Sequence, residues 1–284
     1  MTEAKALGNL PGSIGDATLT AIIEMTDDFP APPMLLTQIL ELTSDPATPV
    51  DRVATVLSGD VGITAKLLKL SNSAFYGHSR TVTSVKQAIV MLGFHTVRSL
   101  VVAASTQSLY AGCKDYEGLR KGMWEHSLAT AVFAKILATR LSAWQPEEAY
   151  VAGLLHDIGK LVLLQRFPER FAAMIAECKT ASENLLRMEN AHFGCTHDLV
   201  GAYLVDRWLF PESLVASVGL HHQSQELETL AGITALANLF VTAQSLNIHD
   251  CGETAPQQLE EFGLNEFADE FTEQFTEHRS LFAI

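Results

Sequence analysis

Apolar residues in this chain recur at three- and four-residue spacing, and the strict alternation of a half-buried strand is nearly absent. Helix punctuation accompanies the pattern. Thr48-Pro49-Val50-Asp51 reads as an N-cap, a first-turn proline and an early acid, and Ser84-Val85-Lys86-Gln87 reads as a capping box whose helix closes at Gly93. Pro146-Glu147-Glu148 predicts one long helix running through His156 towards Leu164, with further starts at Pro168-Glu169, at Thr180-x-x-Glu183 and at Pro211-Glu212. These signals predict about a dozen helical segments joined by short loops, which makes the class all-α. Near the end, Leu264, Phe267, Phe271 and Phe275 line one face of a helix whose other faces carry Glu266, Asp269, Glu270 and Glu273. Such an acidic amphipathic helix either docks on its own core or binds a partner.

The polar residues that interrupt the apolar stripes are the candidates for chemistry. His156 shares its stripe with Ala149, Ala152, Gly153 and Lys160, whose small members leave room beside the imidazole. His126 is read as beginning a helix with inward positions Ala129, Thr130, Phe133 and Leu137, and His197 faces the same way as Val200, Gly201 and Leu204. His221-His222 ends the helix opened by Pro211. Any one of these could be a satisfied core histidine. Several inward imidazoles beside Asp157 instead suggest a shared site, because such a buried cluster is costly unless hydrogen-bonded or metal-bound. Histidine nitrogens and a carboxylate able to bridge suit one or two divalent ions such as Fe, Mn, Zn, Ni or Mg.

Charge adds a second layer. The net charge of −14 over 284 residues argues against DNA as a partner, since DNA binding relies on Lys and Arg displacing counterions. The acidity is uneven, however: residues 61–114 contain no carboxylate and six bases, Lys66, Lys69, Arg80, Lys86, Arg98 and Lys114. Lys66, Lys69, Lys86 and Arg98 are therefore read either as solvated helix faces or as a surface for an acidic segment or nucleotide phosphates. The acidic tail itself could occupy that surface as an autoinhibitor. The sign changes again in the polar, glycine-containing stretch 111–118. A soft boundary there divides the chain into 1–112, 113–250 and an acidic tail, 251–284.

Other chemistries lack their signatures. No Walker A loop, G-x-G-x-x-G or G-x-S-x-G elbow is present. Cys113, Cys178, Cys195 and Cys251 form no C-x-x-C pair, so reduced thiols and a cytoplasmic location are expected; a Cys195/His197 nucleophile pair is a minor alternative. The first residues lack a basic, apolar leader pattern, and no membrane partner is expected.

The order His126, His156-Asp157, His197, His221-His222 resembles the HD superfamily of metal-dependent phosphohydrolases. The stretch from Gly59-Asp60 through Leu70-Ser71-Asn72-Ser73 to Phe75-Tyr76, followed by Val85 to Gly93, resembles the HDOD domain, an HD-related output domain of bacterial signalling proteins. Trp124-Glu125-His126-Ser127 and the run from His197 through Gly201 to Trp208 and Pro211 fit the same pattern, so the likeness spans roughly residues 28–225. The resemblance implies an HD-like multi-helix bundle with an N-terminal helical subdomain. It also implies metal ligands at His126, His156, Asp157 and His197, a further ligand from His221 or His222, and a catalytic role for Asp157, with Lys160 facing a substrate phosphate. The late-helix aspartate of the HD pattern is matched by Asn238, a neutral and poorer ligand that weakens one metal position. His221-His222 is followed by Gln223-Ser224-Gln225, so the GYP signature of cyclic-dinucleotide phosphodiesterases is missing. Two functions follow from the resemblance: a non-enzymatic signalling module that binds a protein or nucleotide, and a metal-dependent phosphohydrolase acting on a nucleotide or phosphomonoester. Di-iron oxygen chemistry is a third, by superfamily analogy alone.

Overall fold

In a computed structural model of the chain, the described residues are 31–73, 81–111, 116–141, 144–181, 184–223, 228–246 and 262–282, with isolated positions 18, 22, 26, 248 and 260. The expected boundary at 112/113, Arg80, Lys114, Cys113, Cys251 and the tail start at 251 lie outside them. Every regular element among the described residues is helical.

Four helices form the N-terminal part: α1 (Met34–Ser44), α2 (Val50–Ser58), α3 (Val61–Ser71) and α4 (Val85–Ala111). Asp60 caps α3 by accepting the Ile63 N–H at 2.9 Å, and Ser84 caps α4 by accepting the Gln87 N–H at 3.2 Å. Gly93 has φ +77° inside α4, a left-handed conformation that breaks the helix and lets it restart at a new angle. Helix α4 is long and apolar enough to cross a bilayer by composition, but here it is kinked and packs against α1, α2 and α3.

The second part comprises α5 (Glu117–Leu141), α6 (Pro146–Leu155), α7 (Ile158–Arg166), α8 (Pro168–Ala181), α9 (Leu185–Phe193), α10 (His197–Arg207), α11 (Glu212–Leu220) and α12 (Leu230–Ala243). Helix α5 is the central post, with α4, α6 and α12 packed around it. It starts at Glu117, so His126 lies well inside the helix and not at its beginning. The start read at Thr180 is also displaced. Thr180 bonds back to the Glu177 carbonyl at the end of α8, and Asn184 caps α9 by accepting the Arg187 N–H at 3.1 Å. The two parts meet where Thr96 and Lys135 both donate to the Glu147 carboxylate, at 3.3 and 2.7 Å.

After a 3-10 turn (Leu264–Phe267), α13 (Ala268–Leu281) lays its apolar face on α5. Phe271 meets Phe133 and Phe240 edge-on, while Phe133 and Phe240 stack at 3.7 Å. Trp124 Nε1 donates to the Phe282 carbonyl at 2.9 Å, and Arg279 pairs with Glu125 at 2.8 Å. The tail helix therefore docks on the protein's own core.

Candidate metal centre

The helix predicted to run unbroken from Pro146 to Leu164 is interrupted where the chemistry lies. Helix α6 ends at Leu155, His156 is its C-cap, and Asp157 (φ −100°, ψ 10°) leaves helical geometry before α7 begins. Side chains of consecutive residues in an unbroken helix diverge by about 100°. The interruption lets His156 and Asp157 reach one point, with His156 Nε2 3.4 Å from Asp157 Oδ2.

Glycines bring the neighbouring helices to that point. A Cβ on Gly153 would lie 2.8 Å from the backbone of Thr130 and Ala131, so the room left by the small residues beside His156 is taken by α5, which carries His126. A Cβ on Gly159 would lie 2.0 Å from the His197 carbonyl oxygen, so α7 and α10 meet backbone to backbone. His126 Nε2 then lies 3.2 Å from His156 Nε2 and 3.5 Å from Asp157 Oδ2. On the other carboxylate oxygen, Asp157 Oδ1, His197 Nε2 stands at 3.1 Å and His221 Nε2 at 3.6 Å. His222 Nε2 is 3.0 Å from His197 Nε2. Two donor groups thus share Asp157: His126 with His156, and His197 with His221 and His222.

The outer hydrogen bonds fix the tautomers. His126, His156 and His221 donate Nδ1–H to the carbonyls of Leu246, Gly153 and Val218 at 2.6, 2.7 and 2.7 Å, which turns their Nε2 lone pairs inward. His197 is held by Glu189, whose Oε2 accepts its backbone N–H at 2.9 Å and its Nδ1–H at 2.7 Å. Glu189 was not foreseen from the sequence. It lies eight residues before His197, across a helix end and a turn, and only a carboxylate among the buried positions of α9 marked it.

These surroundings shift the charges. Burial lowers His126 to about 3, against the opposing pull of Asp157, and burial lowers His221 to about 4. Burial with the charges of His221 and His197 holds His222 well below its ordinary value. For His197, burial is outweighed by the Glu189 and Asp157 carboxylates, which raise it to about 9. Burial alone would raise the Asp157 carboxyl, but the field of His156 and Lys160 and the hydrogen bonds it accepts hold it well below the carboxylate range.

The residues fit a divalent cation. With both Nδ1 atoms bonded outward to carbonyls, the inward Nε2 atoms of His126 and His156, 3.2 Å apart, are placed to ligate a shared cation. Asp157 Oδ1 is a buried carboxylate oxygen faced by imidazole nitrogens, His197 Nε2 at 3.1 Å and His221 Nε2 at 3.6 Å, a donor set that suits a divalent ion. His126, His156 and Asp157 would hold one ion, and Asp157, His197, His221 and His222 a second.

The remaining predicted positions have the following surroundings. Lys160 is buried and its Nζ lies 2.6 Å from Asp157 Oδ2, so its charge is directed at the carboxylate. Asn238 is buried on α12, where its Oδ1 accepts from Thr242 at 3.5 Å. Cys195 is buried, and burial with the nearby Glu189 and Asp198 pushes its thiol up to about 12, which makes it a poor nucleophile. The four cations of the carboxylate-free block read as a candidate surface have separate partners. Lys66 bonds Gln107 and lies over the Phe282 ring at 4.7 Å; Lys69 donates to the Ser280 carbonyl at 2.9 Å; Lys86 pairs with Asp51 at 2.7 Å; and Arg98 is half-buried in the field of Glu148.

Comparison with known proteins gives the family and the fold. Residues 29–224 match the HDOD domain family. This chain is an HDOD protein. An HDOD domain protein of unknown function from Geobacter sulfurreducens superposes with a TM-score of 0.81 at 24% identity, covering 94% of this chain and 99% of that one. A candidate phosphohydrolase from Shewanella amazonensis SB2B gives a TM-score of 0.69 at 25% identity, covering 90% and 97%. An uncharacterized protein of Treponema pallidum is 26% identical over 228 residues; the match takes in 78% of this chain and 44% of that relative's length.

Proposed function

We propose that this HDOD protein is a signalling module that acts by binding, with a divalent-metal cluster as a buried structural core. The observation that carries this reading is the closure of the cluster. His156 and His197 are 0% exposed, Asp157 is 1% and Lys160 is 3%. Catalytic metal sites keep an open position for water and substrate, whereas structural sites are closed. The large cavities among the described residues, about 620 and 820 Å³, are lined by residues outside the cluster. Asn238 in place of the carboxylate of the HD pattern supports the same reading, because a neutral amide offers no charge to a divalent ion.

A phosphohydrolase remains the second reading, favoured by the half-buried His222 at the edge of an otherwise complete donor set. In that reading the cation would acidify a bound water and polarise a phosphoryl oxygen. The chain's own part would be to present the inward nitrogens of His126, His156, His197 and His221 and the Asp157 carboxylate, with His197 giving up a proton as the ion binds.

Metal content of protein purified without chelator, followed by a phosphomonoester and nucleotide panel with Mn²⁺, Fe²⁺ or Mg²⁺, separates the two. The signalling reading expects bound metal, no turnover, and a large loss of thermal stability in His156→Ala. Turnover that disappears in Asp157→Ala would overturn it.

A further inference from the structure

The carboxylate-free block and the start of α5 converge on a cavity far better suited to a ligand than the exposed lysines. It measures about 620 Å³ and lies between the N-terminal ends of α1, α3 and α5 and the C-terminal end of α4. That volume falls in the range of small-molecule sites, roughly 300–1,000 Å³. Lys66, Arg120 and Lys121 supply three cations to its wall. Arg120 is 7% exposed and anchored by the Nη1–H it donates to the Tyr110 carbonyl at 2.6 Å, so its guanidinium is held in place before any ligand arrives. Lys66 is half-buried, and burial lowers its pKa, the sign of an ammonium partly stripped of water. Lys121 is exposed and unpaired among the described residues.

Two carboxylates share the wall, and the Asp60 charge acts on Lys66; the three cations outnumber the acids by one. Asp60 is committed to capping its own helix, and Glu117 is exposed in the first turn of α5. The N-termini of α3 and α5 both point their positive ends towards the space. The remaining wall has the hydroxyls of Ser105 and Ser108 and an apolar side of Leu35 and Ile63. In a chain of net charge −14, a pocket with three cations, hydroxyls and an apolar side is a specific local feature.

We propose that this pocket between α3, α4 and α5 binds a nucleotide-sized phosphorylated small molecule. Lys66, Arg120 and Lys121 would take the phosphates and the Leu35/Ile63 side the organic body. The site deepens the signalling reading by supplying it with an input, yet it is physically separate from the metal cluster. Its volume of about 620 Å³ suits a small ligand better than an extended acidic peptide.

The test uses the full chain and ADP carrying a fluorescent N-methylanthraniloyl group, followed by anisotropy. The expected result is saturable binding displaced by unlabelled ADP. Lys121→Glu should weaken it at least about tenfold, because a charge-assisted bond to phosphate is lost and a repulsion gained. Ser108→Trp, which fills the cavity and keeps every cation, should weaken it as much. Both positions are exposed, so both variants should melt with the parent. Affinity unchanged in both variants would overturn the proposal, as would displacement by poly-glutamate but not by ADP. Binding lost on chelation yet unchanged in Lys121→Glu would place the nucleotide on the metal cluster and overturn it too. Phosphatase turnover, by contrast, would remove the signalling reading and leave the pocket assignment standing.

Discussion

Gly159→Ala is the most direct test of how the metal centre is assembled. The added Cβ would sit 2.0 Å from the His197 carbonyl oxygen and 2.8 Å from the Gly201 nitrogen, whereas real Cβ contacts stay beyond 3.0 Å. Both obstacles are backbone, so no rotamer change relieves the clash, and α7 and α10 must separate by about 1 Å. Asp157 is the residue capping α7, and His197 is the first residue of α10, so the separation falls directly on the 3.1 Å approach between them. Overpacking costs about 1–3 kcal/mol, and a backbone clash belongs at the upper end. At about 2–4 °C per kcal/mol for a chain approaching this size, the melting temperature should fall by roughly 6–12 °C. Metal ligation tolerates displacements of only about 0.2 Å, so any divalent ion that Asp157 and His197 would hold should be lost as well. Calorimetry and metal analysis of the same preparation give both readouts. A variant that melts with the parent and carries the same metal would refute the backbone-to-backbone contact on which this account depends.

Glu189→Gln should bring the His197 pKa down from about 9 and lower metal affinity by about 10–100-fold. Because His197 is protonated below about 9 in the parent, metal binding at pH 7 should release a proton and tighten as pH rises towards 9; titration calorimetry in buffers of different ionisation enthalpy should show that release shrinking in the variant. Asn238→Asp should raise the metal stoichiometry measured by elemental analysis if the neutral amide is what weakens the second position. Phe271→Ala, which empties an aromatic cluster with Phe133, Phe240 and Phe275, should cost about 3–5 kcal/mol in denaturant unfolding; a cost near zero would mean that the tail helix is dispensable. Adding metal to chelated protein at about a hundred times its Kd should stabilise it by about 2.7 kcal/mol, visible as a rise in melting temperature.

The helical class and the inward stripes were legible in the chain itself, because a 3.6-residue period is a local property. The donor set His126, His156, Asp157, His197, His221 and His222 was an expectation from the family resemblance, and these side chains do lie together. The capping signals were less secure: Thr180 showed that a cap sequence inside a stable helix simply bonds back to its own backbone. What the sequence by itself determined, then, was which side chains face inward and what they can ligate. The tertiary structure decided the rest. It broke the helix at Asp157 so that neighbouring side chains converge, and it brought Glu189 under His197. It also turned Lys160 onto Asp157, separated the basic block's lysines, and set Arg120 and Lys121 beside Lys66 across a cavity. Each of these depends on the close approach of helices distant in sequence. That approach is set by where a Cβ is absent and how the core packs, which no local period records.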